Sequence, residues 1–573
     1  MDSFAAASPE AETAALRDGS LLQPDTRGIN AYDDDRSLAA LLGLYLAPAD
    51  LATLTPTFRR LGDLVGGRLD ELAHTADRNP PVLHHRDRNG DDRQRIEKHP
   101  AYVEMERIGF GELAMAAMSH RSALGLDKPV PHAAKYAIQY LFAQSEFGLL
   151  CPISMTDALT RTIRRYADPA LVERYLAGLT AETLEDHIQG AMFMTERAAG
   201  SDVGATVTRA VPDGDGWRLY GDKWFCSNTD AGLALVLARP DGAPPGIKGV
   251  SLFLLPRDLP DGSRNAYRIV RLKDKLGTRS MASGEITLEG AKAWMVGPAG
   301  QGFVQMAEMV NQSRLSNAVR AAGMMRRALR EALTVARGRK AFGRRLVDLP
   351  LQRRQLVKLM LPTEQALSMC LFTADALARA DAGDAEGAAL RRILTPLLKF
   401  RVCRDARKVT GDAMEARGGV GYIEEWIEPR LVRDSHLGSI WEGTSNIVAL
   451  DVLRAARKQH AHAALAASLG ARMAAAGLPE DRRARLTGLV GRAAAAVDAA
   501  AAASPDGDRR ARTVASGLYH AASACLLACD GALLDDPRRT ALADLVIRHK
   551  LTARDPLEAE DGDEAELEAL LLG

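Results

Sequence analysis

Cysteine is scarce in this chain and never closely paired. Its six cysteines (Cys151, Cys226, Cys370, Cys403, Cys525 and Cys529) include no Cys-x-x-Cys spacing. That argues against a zinc ribbon or a dithiol centre and leaves small buried side chains. Net charge is missing too, since 74 Lys+Arg balance 74 Asp+Glu. The chain as a whole therefore points to no polyanionic or membrane partner. It has no run of about 18 apolar residues, so no membrane span is expected. The opening stretch, MDSFAAASPEAETAALRDGS, is acidic and has no apolar core, so no secretory signal is read there and a cytoplasmic protein is expected. His84, His85 and His99 lie in a polar stretch over 78–100 that reads as a surface loop, and their spacing fits no zinc set, so no metal is expected.

What is present is segregated along the chain. At 573 residues the chain is too long for one core and needs several units. Residues 1–35 are rich in Ala, Asp, Ser and Gly and read as a loosely docked extension. Over 36–190, LAALLGLYL and AAKYAIQYLFAQSEFGLL carry apolar residues at helical spacing. Over 191–297, short alternating runs such as WRLYGDKWF, VSLFLLP and GEITLEG are punctuated by Gly, Pro and Asp, which predicts an antiparallel β domain. Helical periodicity returns over 298–457 and continues through an Ala-rich section, 458–554. Helices, then strands, then helices define a multidomain α+β protein. From Leu453 to Arg554 there are 16 basic and 9 acidic residues, and from Asp555 onward 8 acidic and none basic. The last helical section is thus basic and its tail, 555–573, acidic. Arg482, Arg483, Arg485, Arg492, Arg509, Arg510 and Arg512 are either a solvated face or a double-stranded DNA contact.

Five segments carry chemistry. MTERAAGSDVG, Met194 to Gly204, is a loop of small residues whose backbone N–H groups can approach an anion or carbonyl. GDKWFCSN, Gly221 to Asn228, puts an aromatic face beside a hydroxyl on a strand. RGRKAFGRRLVDLPLQ, Arg337 to Gln352, and EARGGVGYIEE, Glu415 to Glu425, lie in the second helical section. RDSHLGSIWEGTSNIVALDVLR places Glu442 between Trp441 and Gly443. A carboxylate beside an indole in an apolar pocket has a raised pKa and suits a general base; a helix-start carboxylate is the plainer alternative.

Together these segments resemble the acyl-CoA dehydrogenase superfamily over roughly residues 40–455. LCPISMT (150–156), RLKDKLGTRSMAS (271–283), PRLVR and SIWEGTSNIVALDVLR narrow the resemblance to its bacterial alkylation-response branch. It implies an N-terminal helical domain, a β domain, a four-helix bundle bearing the catalytic Glu, and an extra helical domain. It also implies one FAD between the β domain and the bundle. Met194, Thr195, Gly200 and Ser201 would line the flavin and its phosphates. Phe225, where many members have Trp, would pack on the ring, and Ser227, where many have Thr, would bond its polar edge, with Cys226 between them. Arg339, Phe342 and Gln352 would reach the FAD of a neighbouring subunit, which implies a homotetramer. Gly418 and Gly419 would admit the adenosine, Glu415 standing where many members have Gln, and Trp441, Gly443, Thr444 and Asn446 would complete the site.

The implied reaction is α,β-dehydrogenation of an acyl-CoA. The thioester carbonyl would be bonded by the flavin ribityl chain and the Glu442 N–H. Glu442 would remove the α proton and the β hydrogen would leave as hydride to flavin N5, giving a trans-2-enoyl-CoA. Glu rather than Asp at 442 favours this over nitroalkane oxidation, and Arg314 matches a common active-site arginine. A DNA-binding protective flavoprotein with weak dehydrogenase activity and a biosynthetic flavin oxidase are the alternatives.

Overall fold

The computed structural model describes residues 23–553, 557 and 563–573. The expected extension falls mostly outside these residues, but its end is pinned rather than loose. The Pro24 carbonyl accepts a hydrogen bond from Arg417 at 2.9 Å, and Asp34 pairs with Arg330 at 2.8 Å.

The first helical unit contains α1 (Arg36–Tyr45), α2 (Pro48–Val65), α3 (Arg68–Arg78), α4 (Pro100–Glu106), α5 (His132–Phe142), α6 (Leu150–Tyr166) and α7 (Pro169–Leu179). Proline opens α2, α4 and α7, where its missing N–H costs nothing. The stretch expected to be a polar loop is a hairpin, β1 (Val82–Arg86) paired antiparallel with β2 (Asp92–Glu97). Its turn is closed by the Asp87 carboxylate, which accepts from the N–H groups of Asn89 (2.8 Å) and Asp91 (3.1 Å). Gln94 then accepts from the Ile269 N–H at 2.9 Å and ties the hairpin to the β domain. Polarity hid the strands because both faces of the hairpin are largely exposed.

The β domain comprises β3 (Gly190–Phe193), β4 (Arg209–Asp213), β5 (Gly216–Ser227), β6 (Leu233–Pro240), β7 (Ser251–Pro256), β8 (Tyr267–Leu272) and β9 (Ser283–Met295). The order is β3-β6-β4-β5-β9-β7, with β8 on β9, and a further β6–β7 pairing closes the circuit. The sheet is mostly antiparallel, as expected, with two parallel exceptions: β3 and β4 each pair parallel with β6. β6 explains how this domain docks. Leu233, Leu235 and Leu237 enter the helical core, whereas Ala234, Val236 and Ala238 face the β core. Strand alternation thus makes one strand apolar on both faces.

The second helical unit begins with α8 (Gly302–Gly338), followed by α9 (Pro350–Asp381), α10 (Ala385–Arg417), α11 (Ile427–Gly438) and α12 (Ser445–Gln459). α8 packs on α9 and α10, and α12 packs on α10, forming the bundle. The extra unit is α13 (Ala461–Ala475), α14 (Glu480–Ala502), α15 (Ala511–Leu533) and α16 (Pro537–Val546), with α15 seated against α9 and α12. The acidic tail ends in α17 (Asp563–Leu572), which packs on α9 and α16. All six cysteines are buried and free. Among the described residues no helix is long and apolar enough to cross a membrane, and no His/Cys/Asp/Glu group could hold a metal.

Candidate active site

α11 stops at Gly438 and α12 starts at Ser445, and the link between them turns sharply. Glu442 has φ +52° and Gly443 φ +100°. A left-handed glutamate is strained, so its surroundings must hold it there. The Arg314 Nε donates to the Glu442 carbonyl at 2.9 Å, and Lys399 Nζ donates to the Gly443 carbonyl. Arg314 is itself fixed by Asp451 at 2.7 Å, which also pairs with Arg392 at 2.7 Å. Burial acts to raise the Asp451 pKa, but Arg392 and Arg314 outweigh it and hold the carboxyl below its usual range.

The Glu442 carboxylate is met by α8. Ser313 Oγ donates to Oε1 at 2.8 Å and Asn317 Nδ2 to Oε2 at 3.1 Å. Residues 313 and 317 are one turn apart and share a helix face, so two short polar side chains receive both oxygens. The two donors fix the orientation of the carboxylate. The sequence analysis did not single out Ser313, Asn317, Lys399 or Asp451. A signal was available in QSRLSNAVR, whose polar residues lie in a helix buried on almost every side. Arg314, proposed from sequence as a catalytic residue, grips the backbone of Glu442 and has the contacts of a positioning residue. Trp441 stacks on Phe147, with ring centroids 6.1 Å apart and planes 27° apart.

On the β domain the loop after β3 is anchored at Glu196. Its carboxylate accepts from Lys223 (2.6 Å), Thr208 Oγ1 and the Val207 N–H (2.8 Å). Burial acts to raise the Glu196 pKa, yet the Lys223 charge and these hydrogen bonds leave it lowered. The neighbouring Thr195 carbonyl accepts from the Trp224 N–H at 2.8 Å, tying the loop to β5. Met194 and Thr195 are half-buried, and Gly200 and Ser201 exposed. At the end of β5, Phe225 is 57% exposed and Ser227 half-buried, whereas Cys226 is fully buried in the β core. Alternation sends Cys226 to the face opposite its neighbours, away from the site to which it was assigned.

A second group gathers at the other end of the bundle. Arg339 Nη1 donates to the Arg417 carbonyl at 3.2 Å, beside Gly418 and Gly419. A Cβ at Gly419 would meet nothing within 4 Å, and one at Gly418 only the Arg339 guanidinium at 3.6 Å. Phe342 sits on a left-handed turn (φ +52°), 88% exposed, and Gln352 keeps a buried Nε2 without a partner. Glu415 is exposed and lends its carbonyl to the Gly418 N–H at 2.9 Å. Thr444 and Asn446 are exposed around the start of α12. The uncovered aromatic rings, the open diglycine and the orphaned amide donor fit a long cofactor with a flat ring and polar edges.

Residues 22–186 match the adaptive response protein AidB N-terminal domain, 191–291 the acyl-CoA dehydrogenase middle domain, and 300–457 the acyl-CoA dehydrogenase C-terminal domain. The chain is 36% identical to the putative acyl-CoA dehydrogenase AidB of Escherichia coli over 454 residues, covering 78% of each chain. It is 32% identical to acyl-CoA dehydrogenase family member 11 of Caenorhabditis elegans over 74% of this chain and 70% of that protein. Caenorhabditis elegans ACDH-11, solved in complex with C11-CoA, superimposes with TM-score 0.86 at 26% identity, over 99% of this chain and 98% of that chain. Bd2924 in its apo form gives TM-score 0.80 at 31% identity, over 89% of this chain and all of that one. The chain belongs to the acyl-CoA dehydrogenase family of FAD-dependent oxidoreductases, on its AidB-like branch.

Proposed function

We propose that the protein removes one α and one β hydrogen from an acyl-CoA thioester, with Glu442 as the base. The observation that carries this reading is the Glu442 carboxylate, fixed on a strained turn with Ser313 and Asn317 on its two oxygens. Arg314 and Lys399 hold the turn's carbonyls, so the base is placed before substrate arrives. Glu442 takes the α proton onto its carboxylate, and the Cα–Cβ double bond forms as the β hydrogen departs with its electron pair. FAD, when bound, supplies the acceptor for that hydride. Met194, Thr195, Phe225 and Ser227 would present the β-domain side of its site, and Trp441, Gly443, Thr444 and Asn446 the bundle side. Arg339, Phe342, Gln352, Gly418 and Gly419, with their open surfaces, would serve the FAD of a neighbouring subunit in a homotetramer.

The test is anaerobic mixing of the yellow protein with a panel of acyl-CoAs while the visible flavin band is followed. Bleaching by one chain class, lost in Glu442→Gln, is expected. A flavin that dithionite reduces but no thioester bleaches would overturn the reading.

A second reading has its own observation. Arg485, Arg492, Arg509, Arg510 and Arg512 are exposed and form no ion pair among the described residues. The described part of the acidic tail packs elsewhere, with Glu564 3.5 Å from Arg548. This surface supports double-stranded DNA binding of the kind expected for an alkylation-response protein. Removing Arg509, Arg510 and Arg512 together should lower the slope of log affinity against log salt by about 0.9 for each phosphate that is no longer neutralised. A slope unchanged by the triple substitution excludes this surface.

A further inference from the structure

Arg320 lies on α8 one turn beyond Asn317, on the face that meets Glu442. It is completely buried, and it forms no ion pair among the described residues. Its Nε makes one long contact, 3.4 Å to the Ser316 carbonyl, and among the described residues Nη1 and Nη2 meet no acceptor stronger than the neighbouring Cys151 thiol. The guanidinium packs beside the stacked pair of rings next to the base, 4.9 Å from the Phe147 centroid and 5.6 Å from that of Trp441. Its neighbour Cys151 brings no charge, because burial pushes that thiol up to about 12. A second cation, Lys275, borders the same thiol and is bonded only to neutral groups, the Met281 carbonyl (2.6 Å) and Ser283 Oγ (3.2 Å). Asn317 Oδ1 is also buried without a partner. The carboxylates of this neighbourhood are Glu442, beside the Cys151 thiol, and Asp434 and Glu146, on the Lys275 side; the two oxygens of Glu442 are bonded by Ser313 and Asn317 and not by Arg320.

A buried guanidinium with two idle donors is costly unless a partner completes it. Every other arginine of α8 from 314 to 330 has its carboxylate in place: Arg314 with Asp451, Arg326 with Asp35 and Glu364, Arg327 with Asp70 and Glu331, and Arg330 with Asp34. The paired Nη1 and Nη2 form the fork that fits a carboxylate end-on. Resting on the dehydrogenase reading of this site, we propose that Arg320 selects an acyl-CoA whose acyl chain ends in a carboxylate, that is, the mono-CoA thioester of a short dicarboxylic acid. The thioester end meets Glu442, the far carboxylate meets the Arg320 fork, and the flanking rings of Phe147 and Trp441 exclude water from that pair. The added positive charge also offsets the repulsion between the substrate carboxylate and Glu442.

The experiment titrates the FAD-loaded protein calorimetrically with length-matched pairs: succinyl-CoA against butyryl-CoA, glutaryl-CoA against pentanoyl-CoA, and adipyl-CoA against hexanoyl-CoA. Flavin bleaching is recorded on the same samples. One carboxylated member should bind at least about tenfold more tightly than its plain partner, the scale of a charge-assisted hydrogen bond. Arg320→Met should erase that preference while keeping the affinity for the plain chain, and Arg320→Lys should keep part of it. Thermal melting checks that each variant folds, and Arg320→Gln replaces Arg320→Met if the latter does not. Equal binding of the pair members, or a preference that survives in the folded variants, overturns the proposal. If plain chains bleach the flavin without any carboxylate preference, the proposal falls and the dehydrogenase reading stands. An Arg320-dependent preference without bleaching does the reverse. No binding of any thioester overturns both.

Discussion

α8 carries its buried arginines in two ways. In its second half, Arg326, Arg327 and Arg330 are saturated. Arg326 meets Glu364 at 2.6 Å and the Tyr140 hydroxyl at 2.7 Å, and Arg327 meets Glu331 at 2.8 Å. Glu331 in turn binds Arg417, whose other carboxylate is Glu428, so the network stitches α8 to α10 and α11. In its first half, Arg314 is paired with Asp451, Ser313 and Asn317 serve one carboxylate, and Arg320 is left without a carboxylate. The same residue type in the same helix is structural where its valences are filled and available where they are not. Pairing, more than burial, separates Arg320 from the other arginines of this helix.

The largest expected effect tests the available half. Glu442→Gln keeps the hydrogen bond from Ser313 and removes the base, and should slow anaerobic flavin bleaching by about 10²–10⁴-fold, the usual contribution of a general base. A smaller loss would mean that the first half of α8 does not organise the chemistry.

Arg326→Met tests the saturated half. It leaves buried Asp35 without its cation and takes one of two from Glu364, which keeps Arg539 at 3.3 Å, and should cost about 3–5 kcal/mol in urea unfolding, whereas Arg320→Met, which strands no partner, should be neutral or stabilising. Equal losses in the two variants would erase the contrast.

A third test concerns carboxylates rather than arginines. Asp434 is buried and accepts from the Thr278 N–H at 2.6 Å. Burial, reinforced by the charges of Asp77 and Glu146, pushes its pKa up to about 7. A raised folded-state pKa means that its contribution to stability is complete below the unfolded value and is lost as pH rises through about 7. Relative to Asp434→Asn, the wild type should therefore lose up to about 1.4 kcal/mol per pH unit across that interval. Parallel stability–pH curves for the two proteins would show that Asp434 is ionised throughout.

The smallest effect lies on the surface of the extra domain. Arg482 and Asp544 pair at 3.1 Å with both side chains partly exposed, and Arg482→Ala should change stability by no more than about 1 kcal/mol. A larger loss would place this arginine with the saturated set.

Much of this architecture was legible before any coordinates. The start of α8 at Gly302 and the end of α12 at Gln459 agree with the periodicity, because a long apolar repeat has few alternative structures. The β domain was legible for the same reason, through period-two alternation in β5 and β9. The hairpin at Val82 to Glu97 was not, because exposed strands carry no apolar alternation, and neither were the parallel pairings of β6, which depend on partners remote in sequence. At the site, Glu442 with Trp441 was legible because they are adjacent in one motif. Ser313 and Asn317 were not, since they lie more than a hundred residues from the carboxylate they bond. Cys226 was assigned with its neighbours Phe225 and Ser227, and only the side on which the strand buries it tells them apart.

The sequence by itself therefore determined the order of helices and strands, the family and the cofactor, and it nominated Glu442 as the proposed base, because each is written in residues close together along the chain. The tertiary structure alone decided which polar groups are satisfied. Hydrogen bonds and ion pairs form between segments that the fold brings together, and an arginine without a carboxylate looks in sequence like any other.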